Sequence, residues 1–319
     1  MITAADKIKL IESKLDYFNS LLTKCGLCPR ECKVNRFNQY GFCKQKSEEI
    51  TVYTAFLHKG EEPVISGLNG SGTIFFSGCN LQCVFCQNYK FSHQISGTKL
   101  SVNELSHIMV KLQDRGAHNI NLVTPTHILP QILKSLVIAL KKGLLIPIVY
   151  NTSGYEKPKI IASLSGIIDI YLTDIKYFSP QTAAKYSYTF DYPKFNQESL
   201  KEMVNQSEPP SFEGQLIKRG VIVRHLIIPG LSSETIRILN WLCNNLSDKK
   251  FFVSVMSQFQ PYFKSRLHPV LNNSLNKSEY AKIKKFLEES SLEGWIQDFI
   301  PSEHLAGKYF KPSLKELLG

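Results

Sequence analysis

No stretch of this 319-residue chain approaches the ~18 consecutive apolar residues of a membrane span, and the opening Met1-Ile2-Thr3-Ala4-Ala5-Asp6-Lys7-Ile8 has no apolar run of signal-peptide length. The expectation is a cytoplasmic protein with no membrane contact. Internal repeats, low-complexity linkers, an arginine-rich run and an RNA-binding signature are also lacking. The formal charge of +11, from 38 Lys and Arg against 27 Asp and Glu, is scattered along amphipathic helices and reads as a solvated basic surface. A hydrophobic content of 43% and a mass of 36.3 kDa suit one large domain or two smaller ones with a substantial core.

What is present is cysteine, unevenly placed. Seven of the eight fall in two clusters, and Cys243, alone in Leu239-Asn240-Trp241-Leu242-Cys243, reads as a buried core residue. In a reducing compartment, clustered cysteines hold metals more often than they form disulfides. Cys79-Asn80-Leu81-Gln82-Cys83-Val84-Phe85-Cys86 puts three thiols close together directly after the apolar run Thr73-Ile74-Phe75-Phe76. Thiolates are soft ligands for iron–sulfur clusters, and a four-iron cube held by three cysteines keeps one iron open to a substrate or cofactor. A zinc knuckle or buried structural thiols are the alternatives, but zinc usually takes four protein ligands in paired units. The second set is Cys25-Gly26-Leu27-Cys28-Pro29-Arg30-Glu31-Cys32 together with Cys43. Four thiolates among the turn residues Gly26, Pro29 and Gly41 suit zinc and a four-cysteine iron–sulfur cluster equally.

Ile8, Ile11, Leu15, Phe18 and Leu22 recur at spacings of three and four, which predicts one helix over residues 4–23. Residues 50–70 read as short strands and turns without a site. From Thr73 onward the pattern alternates, with strands expected over 73–77, 119–124, 147–151, 168–173, 221–228 and 251–256. Helical segments lie between them: one behind the capping box Ser101-Val102-Asn103-Glu104, one over 129–140, and one over 232–246 opened by a Ser cap. Alternation of this kind predicts parallel βαβ units with right-handed crossovers. The fold class is therefore α/β, a partial, open (β/α)6 barrel preceded by an N-terminal helix and the four-cysteine module. The expected division is 1–70 for helix and module, 71–300 for the core, and 301–319 for a basic, surface-packed tail after the run Trp295-Ile296-Gln297-Asp298-Phe299-Ile300. Residues 178–220, with Tyr186, Tyr188, Phe190, Tyr192, Phe195 and a helical 197–204, are expected to be an insertion covering the barrel mouth.

In a parallel barrel, function gathers at the C-terminal strand ends. Here those ends are the three cysteines, Thr124-Pro125-Thr126-His127, Asn151-Thr152-Ser153-Gly154-Tyr155, Asp174-Ile175-Lys176, Arg224-His225 with Pro229-Gly230, and Ser257-Gln258-Phe259-Gln260. Short donors, one carboxylate and two cations suit a zwitterionic cofactor carrying a ribose. The plainer readings are a structural Asp174–Lys176 ion pair, a turn role for Asn151, and a capping role for His127.

The Cys-x3-Cys-x2-Cys spacing with Phe85 before the last cysteine resembles the signature of the radical S-adenosylmethionine (SAM) superfamily. With the Cys-Gly-Leu-Cys-Pro-Arg-Glu-Cys leader, Cys86-Gln87-Asn88, Asn151-Thr152-Ser153-Gly154-Tyr155, Asp174-Ile175-Lys176 and Arg224-His225-Leu226-Ile227-Ile228-Pro229-Gly230, the chain from Cys25 to about Trp295 looks like the pyruvate formate-lyase activating-enzyme-like group within it. The resemblance implies a [4Fe-4S] cluster on Cys79, Cys83 and Cys86, with the open iron chelated by the amino and carboxylate groups of SAM. It also implies reductive cleavage of SAM to a 5′-deoxyadenosyl radical that abstracts a hydrogen atom from a substrate. Phe85 would lie beside the adenine, with Asn88 at the cluster exit. Asn151 and Ser153 would face the ribose, Asp174 and Lys176 would contact SAM as an Asp-x-Lys pair, and Arg224 would lie near the SAM carboxylate. Where activating enzymes carry a Gly-Gly-Glu segment for the SAM amino group, this chain has Thr124-Pro125-Thr126, whose hydroxyl and carbonyl groups can also accept from an ammonium. The implied partners are a reducing protein such as flavodoxin or ferredoxin and a protein substrate bearing the target glycyl residue. Two rivals stand beside this reading. One is radical modification of a nucleic acid or small metabolite, motivated by the basic charge and the aromatic segment; the other is a non-catalytic iron–sulfur or zinc electron carrier or scaffold.

Overall fold

Among the described residues ten strands build one sheet: β1 (Ile50–His58), β2 (Ser71–Phe76), β3 (Thr98–Leu100), β4 (Ile120–Val123), β5 (Ile148–Thr152), β6 (Ile170–Asp174), β7 (Ser211–Glu213), β8 (Leu216–Leu226), β9 (Phe252–Met256) and β10 (Gly294–Ile296). The computed structural model describes residues 3–299, 310–311 and 313–318. Along the sheet the order is β10-β9-β8-β6-β5-β4-β2-β1-β3, with β7 attached to β8. Every neighbouring pair from β2 to β10 is parallel, whereas β1 runs antiparallel to both β2 and β3. Among the described residues β3 and β10 do not pair, so the barrel is open.

The six parallel strands expected from the sequence are β2, β4, β5, β6, β8 and β9. Their near-continuous apolar runs reflect burial on both faces, as in β4, where all four residues are buried. A seventh, β10, was not foreseen: three residues are too short to show alternation, and Gly294–Ile296 becomes a strand by pairing with Val253–Val255 of β9. Register aligns the strand ends. Val123 lies opposite Asn151, Asp174 opposite Arg224, and Arg224 opposite Ser254, so side chains from distant parts of the chain reach one mouth.

The helix Val102–Asp114 starts where the capping box predicts, with Ser101 accepting from the Glu104 N–H and Glu104 accepting from the Ser101 N–H. Such a cap stabilises a helix by about 1 kcal/mol. The N-terminal segment differs from expectation: it forms two helices, Ala4–Glu12 and Leu15–Thr23, broken at Ser13 and Lys14, where the Ser13 hydroxyl donates to the Leu10 carbonyl. The predicted face is nonetheless the one that packs, with Ile11, Phe18 and Leu22 buried. Ser232 is the first residue of the helix Ser232–Asn245 and makes no capping bond, because Leu231 occupies the cap position. Cys243 on that helix is half-buried, not a core residue.

Three segments depart further. Residues 50–70 hold the nine-residue β1 and two glutamates of the functional cavity. Residues 178–220 fold as the helices Pro180–Ser187 and Tyr192–Gln206 before β7, and Tyr186 and Tyr192 share one buried cluster with Leu81, Val84 and Phe85. That segment buttresses the cysteine loop from behind and does not roof the cavity. Of the C-terminal run and tail, Ile300 and residues 301–309 lie outside the described residues. Phe310 packs on the cluster of Tyr53, Phe75, Phe91 and Val123, and Leu314 and Leu317 are buried in the main core.

Candidate functional site

At the C-terminal ends of the parallel strands is a cavity of about 590 Å³, within the range of cofactor sites. Cys79, Cys83 and Cys86 all line it, carried by the loop that leaves β2. The loop leaves the strand through Gly78, whose φ of +84° and whose close approach to the Cys43 carbonyl leave no room for a side chain. Two sulfurs already have a donor, the Leu81 N–H to Cys79 Sγ (3.3 Å) and the Ser187 hydroxyl to Cys83 Sγ (3.0 Å), and Ser92 Oγ shares a hydrogen bond with Cys86 Sγ (3.1 Å). Donors of this kind favour thiolates. Without a bound cation, burial pushes all three thiols up, Cys86 to about 11.

Lys176 opposes that effect at all three sulfurs. It pairs with Asp174, and although burial pulls its pKa down, Asp174 and Cys83 outweigh burial and push it up to about 12. Among the described residues no three His, Cys, Asp or Glu side chains are gathered to hold a single metal ion. Two buried polar atoms at the same cavity, Asn88 Oδ1 and Ser153 Oγ, find no hydrogen-bond partner among the described residues. Buried polar groups are nearly always paired, so these two are free for a ligand. Donor set, volume and orphaned atoms together fit a cluster and a polar cofactor.

Of the residues singled out in the sequence, Phe85, Asn88, Thr124, Asn151, Ser153, Asp174, Lys176 and Arg224 line the cavity. Phe85 faces Phe259, ring centroids 5.8 Å apart. Thr124 sits at φ +59° and donates its N–H to the Asn151 carbonyl (2.8 Å), tying the β4 and β5 ends together. Thr126 is the exception. Its backbone turns into the short 3-10 helix Thr126–Ile128, which buries its hydroxyl against Glu156 Oε1 (2.5 Å) and away from the cavity. His127 is fully buried, its Nε2 2.7 Å from the Ser77 carbonyl, and burial pulls its pKa down to about 4; its role is structural. His225 is equally enclosed, between the Ile175 carbonyl and the Thr235 hydroxyl.

Sequence reasoning missed Glu61 and Glu62, which hold Arg224, and the buried Glu156 beneath the β5 end. The only local signal for the first pair was the Glu61-Glu62-Pro63 step into the helix Pro63–Ser66, with acids at a helix start.

The four-cysteine module packs directly on this site. Cys25, Cys28, Cys32 and Cys43 surround a cavity of about 10 Å³ that Asn80 of the cysteine loop also lines. A backbone lattice shapes the turn, with Cys25 N–H to the Val34 carbonyl (2.8 Å) and Glu31, Lys33 and Lys44 at positive φ. The Phe42 N–H donates to Cys32 Sγ (3.3 Å), and Arg36, 1% exposed, points Nη1 at Cys25 Sγ (3.7 Å) and Nη2 at the His127 carbonyl (3.3 Å). No carboxylate pairs with Arg36 among the described residues. A buried guanidinium needs a negative partner, and thiolates are the ones within reach.

Residues 73–207 match the sequence model of the Radical SAM superfamily. The chain is 32% identical over 301 residues to the uncharacterized protein MJ0674 of Methanocaldococcus jannaschii, covering 90% of this chain and 81% of that one. Among solved structures it is similar to Streptococcus suis SuiB bound to S-adenosylmethionine, with a TM-score of 0.46 and 12% identity over 69% of this chain and 48% of that one. It is likewise similar to the FeFe-hydrogenase maturase HydG of Carboxydothermus hydrogenoformans, with a TM-score of 0.47 and 16% identity over 75% and 53%. For methylornithine synthase (PylB) the TM-score is 0.45 and the identity 15%, over 93% and 75%. The chain thus spans about half the length of the first two of these structures.

Proposed function

We propose, from the radical SAM match over residues 73–207, that the chain is a radical SAM protein in which Cys79, Cys83 and Cys86 hold a [4Fe-4S] cluster beside a SAM molecule in the cavity, for hydrogen abstraction from a substrate at its mouth. When bound, the cluster supplies the electron that splits SAM into methionine and a 5′-deoxyadenosyl radical. The chain's own residues orient the cofactor and exclude water, which a primary carbon radical requires. Lys176 offsets the negative charge of the three thiolates, and Asp174 keeps it charged. Asn88 Oδ1 and Ser153 Oγ offer acceptors to the adenine and ribose, while Phe85 and Phe259 supply an apolar wall for the ring. Thr124 and Asn151 stand at the β4 and β5 ends for the amino group and ribose; Thr126 supports them from behind through Glu156. Arg224 has Nε and Nη2 committed to Glu62 and Glu61, which leaves Nη1 for a cofactor carboxylate. The observation that carries this reading is the convergence of the cysteine loop, the Asp174–Lys176 pair and two orphaned polar atoms on one cavity.

For the substrate we favour a peptide, with a glycyl residue of a partner protein as the activating-enzyme-like case. Glu61, Glu62, Asp174 and Asp298 line the cavity against Lys176 and Arg224, both already paired with carboxylates. Among the residues that line the cavity, both cations are already paired with carboxylates, which counts against the phosphates of a nucleic acid there. Gln258, Gln260 and Gln297 carry side-chain amides that match a peptide backbone in donors and acceptors. The four N-terminal cysteines are read as a second metal site, zinc or iron–sulfur, whose thiolate charge Arg36 balances. A low-potential reducing protein in the cytoplasm completes the system. The test is anaerobic reconstitution with iron and sulfide, then dithionite and SAM, with 5′-deoxyadenosine quantified beside a Cys83→Ala variant. Cleavage by the parent and none by the variant is expected. A loaded, reducible cluster that cleaves no SAM would make the chain an electron carrier instead.

A further inference from the structure

An exposed aromatic patch sits outside the cavity and directly over the cysteine loop. Phe42, Tyr188 and Phe190 are 39%, 57% and 63% exposed, and none lines the cavity. Arg30 gathers them. Its guanidinium lies 4.0 Å over the Phe42 ring, donates from Nη1 to the Tyr188 carbonyl (2.9 Å) and from Nη2 to the Thr189 hydroxyl (3.4 Å), and from Nε to the Asn80 carbonyl (3.0 Å). Asn80 is the residue after Cys79. On the inner side of the same segment, the Ser187 hydroxyl donates to Cys83 Sγ (3.0 Å) and the Tyr186 carbonyl accepts from the Val84 N–H (2.9 Å). Ser187 and Tyr188 are consecutive, so one residue touches a sulfur while the next faces solvent.

The rim of this patch is basic. Lys33, Lys44, Lys185 and Lys194 are exposed on the two segments that Arg30 joins. The acids of those segments are engaged: Glu31 with Lys157 (2.6 Å) and Asp191 with the Tyr155 hydroxyl (2.7 Å). Exposed rings inside a ring of like charge mark an interaction surface.

We propose that this patch docks the electron donor, an acidic one-electron carrier protein whose cofactor is a flavin. The inference rests on the cluster reading above. Charge complementarity selects an acidic partner, and the apolar ring edge of a flavin matches the aromatic centre. Redox encounters bury less than ~1,200 Å², so a patch of three rings with a lysine rim is large enough. In the transfer the flavin is oxidised by one electron and the cluster is reduced by one; no bond forms or breaks.

The experiment is calorimetric titration of the reconstituted protein with a recombinant bacterial flavodoxin at low and high salt. Parent, Phe190→Ser and the double variant Lys185→Glu/Lys194→Glu are compared. The expected result is a Kd raised at least tenfold in both variants, and a parent affinity that falls with salt more steeply than that of the charge variant. Dithionite needs no docking surface, so dithionite-driven 5′-deoxyadenosine formation should equal the parent's in both. Unchanged Kd in the variants, or no flavodoxin binding by the parent, overturns the docking proposal. Binding of a ferredoxin in place of flavodoxin overturns the choice of a flavin carrier. If the parent cleaves no SAM with dithionite, it is the cluster reading that fails.

Discussion

Arg224 and Glu62 meet across the mouth of the sheet at two points, Nε to Oε1 at 2.7 Å and Nη2 to Oε2, and Glu61 accepts from the same Nη2. The arginine is on β8 and the glutamates follow β1, so the pair closes the cavity between two otherwise distant parts of the chain. Burial by itself would raise Glu62; Arg224 outweighs it and holds the carboxyl below the usual range.

Arg224→Met would leave two carboxylates facing each other with no cation. Removing one partner of a buried pair costs about 3–5 kcal/mol, and urea unfolding at pH 7 should show a loss of that size. Arg224→Met/Glu62→Met should recover part of it, since no paired charge is then orphaned at Glu62. The sign with pH follows from the lowered carboxyl: the parent's advantage over Arg224→Met is present above the ordinary value of 4.5 and is lost as pH falls through the lower folded value. A cost below about 1 kcal/mol would mean that water screens the pair as it does on a surface.

Arg36 gives a second test, of the metal module. Its guanidinium points at Cys25 Sγ and pulls the Cys43 thiol down against burial, and no carboxylate pairs with it among the described residues. Arg36→Met should therefore raise the Cys43 thiol and lower metal occupancy at the four-cysteine site, while leaving Cys79, Cys83 and Cys86 loaded. Metal analysis by emission spectroscopy, set beside the iron content of a Cys79→Ala/Cys83→Ala/Cys86→Ala variant, separates the two sites. Full metal content in Arg36→Met would show that the thiolates need no internal counter-charge.

How far this site was legible in the sequence depends on the range of each signal. The cysteine spacing, the Ser101–Glu104 capping box and the apolar runs of β2, β4, β5 and β6 are local, and the structure carries them within a residue or two. Strand ends were readable because a parallel sheet puts them all at one mouth, which is why Asp174, Lys176, Asn151 and Ser153 do line the cavity. Direction within a turn was not. Thr124 and Thr126 are two residues apart, yet the 3-10 turn sends only the first toward the cavity. Glu61 and Glu62 were invisible for a different reason. Their meaning comes from Arg224, more than 160 residues later, and no local pattern records such a pairing. The aromatic run 186–195 misled because aromatic residues mark burial as readily as a lid; Tyr186 and Tyr192 are core and Tyr188 and Phe190 are surface.

Gly154 is where the β5 loop and the β6 end come closest. It has φ +75°, and a Cβ there would collide with Asn196 Nδ2 and the Asp174 carbonyl. Asn196 Nδ2 donates to both the Gly154 and the Asp174 carbonyls, so that contact cannot open without breaking the link between Ser153 and Asp174. Gly154→Ala is expected to cost about 3 kcal/mol from strain and overpacking together, and to weaken SAM binding at least tenfold. Gly143→Ala is the control, since φ is +92° there but no atom lies within 4 Å. It should cost about 1 kcal/mol and leave SAM affinity unchanged. Equal effects of the two substitutions on SAM binding would argue that the close approach is irrelevant to the cofactor.

Glu156 lies fully buried beneath the same loops. Its Oε1 accepts from Thr126 (2.5 Å), Thr152 (2.5 Å) and Tyr150 (3.4 Å), and its Oε2 has no partner among the described residues. Burial pushes the carboxyl up to about 7, against the pull of the three hydroxyl bonds. An unfolded glutamate titrates near 4.5. Between those two values the unfolded chain has released a proton that the folded chain keeps, so stability falls as pH rises through the interval and is level above it. The size is about 3 kcal/mol at the usual conversion of pKa shift to free energy. Glu156→Gln cannot ionise and escapes this loss. Urea unfolding at pH 5 and pH 8 should therefore show the variant gaining on the parent by about that amount at the higher pH. Because Thr126 and Thr152 stand on the loops that carry Thr124, Asn151 and Ser153, SAM affinity in the parent should weaken over the same interval and run flatter in Glu156→Gln. Parallel pH profiles for the two proteins would mean that Glu156 carries the same charge folded and unfolded, and that the loops above it are positioned without it.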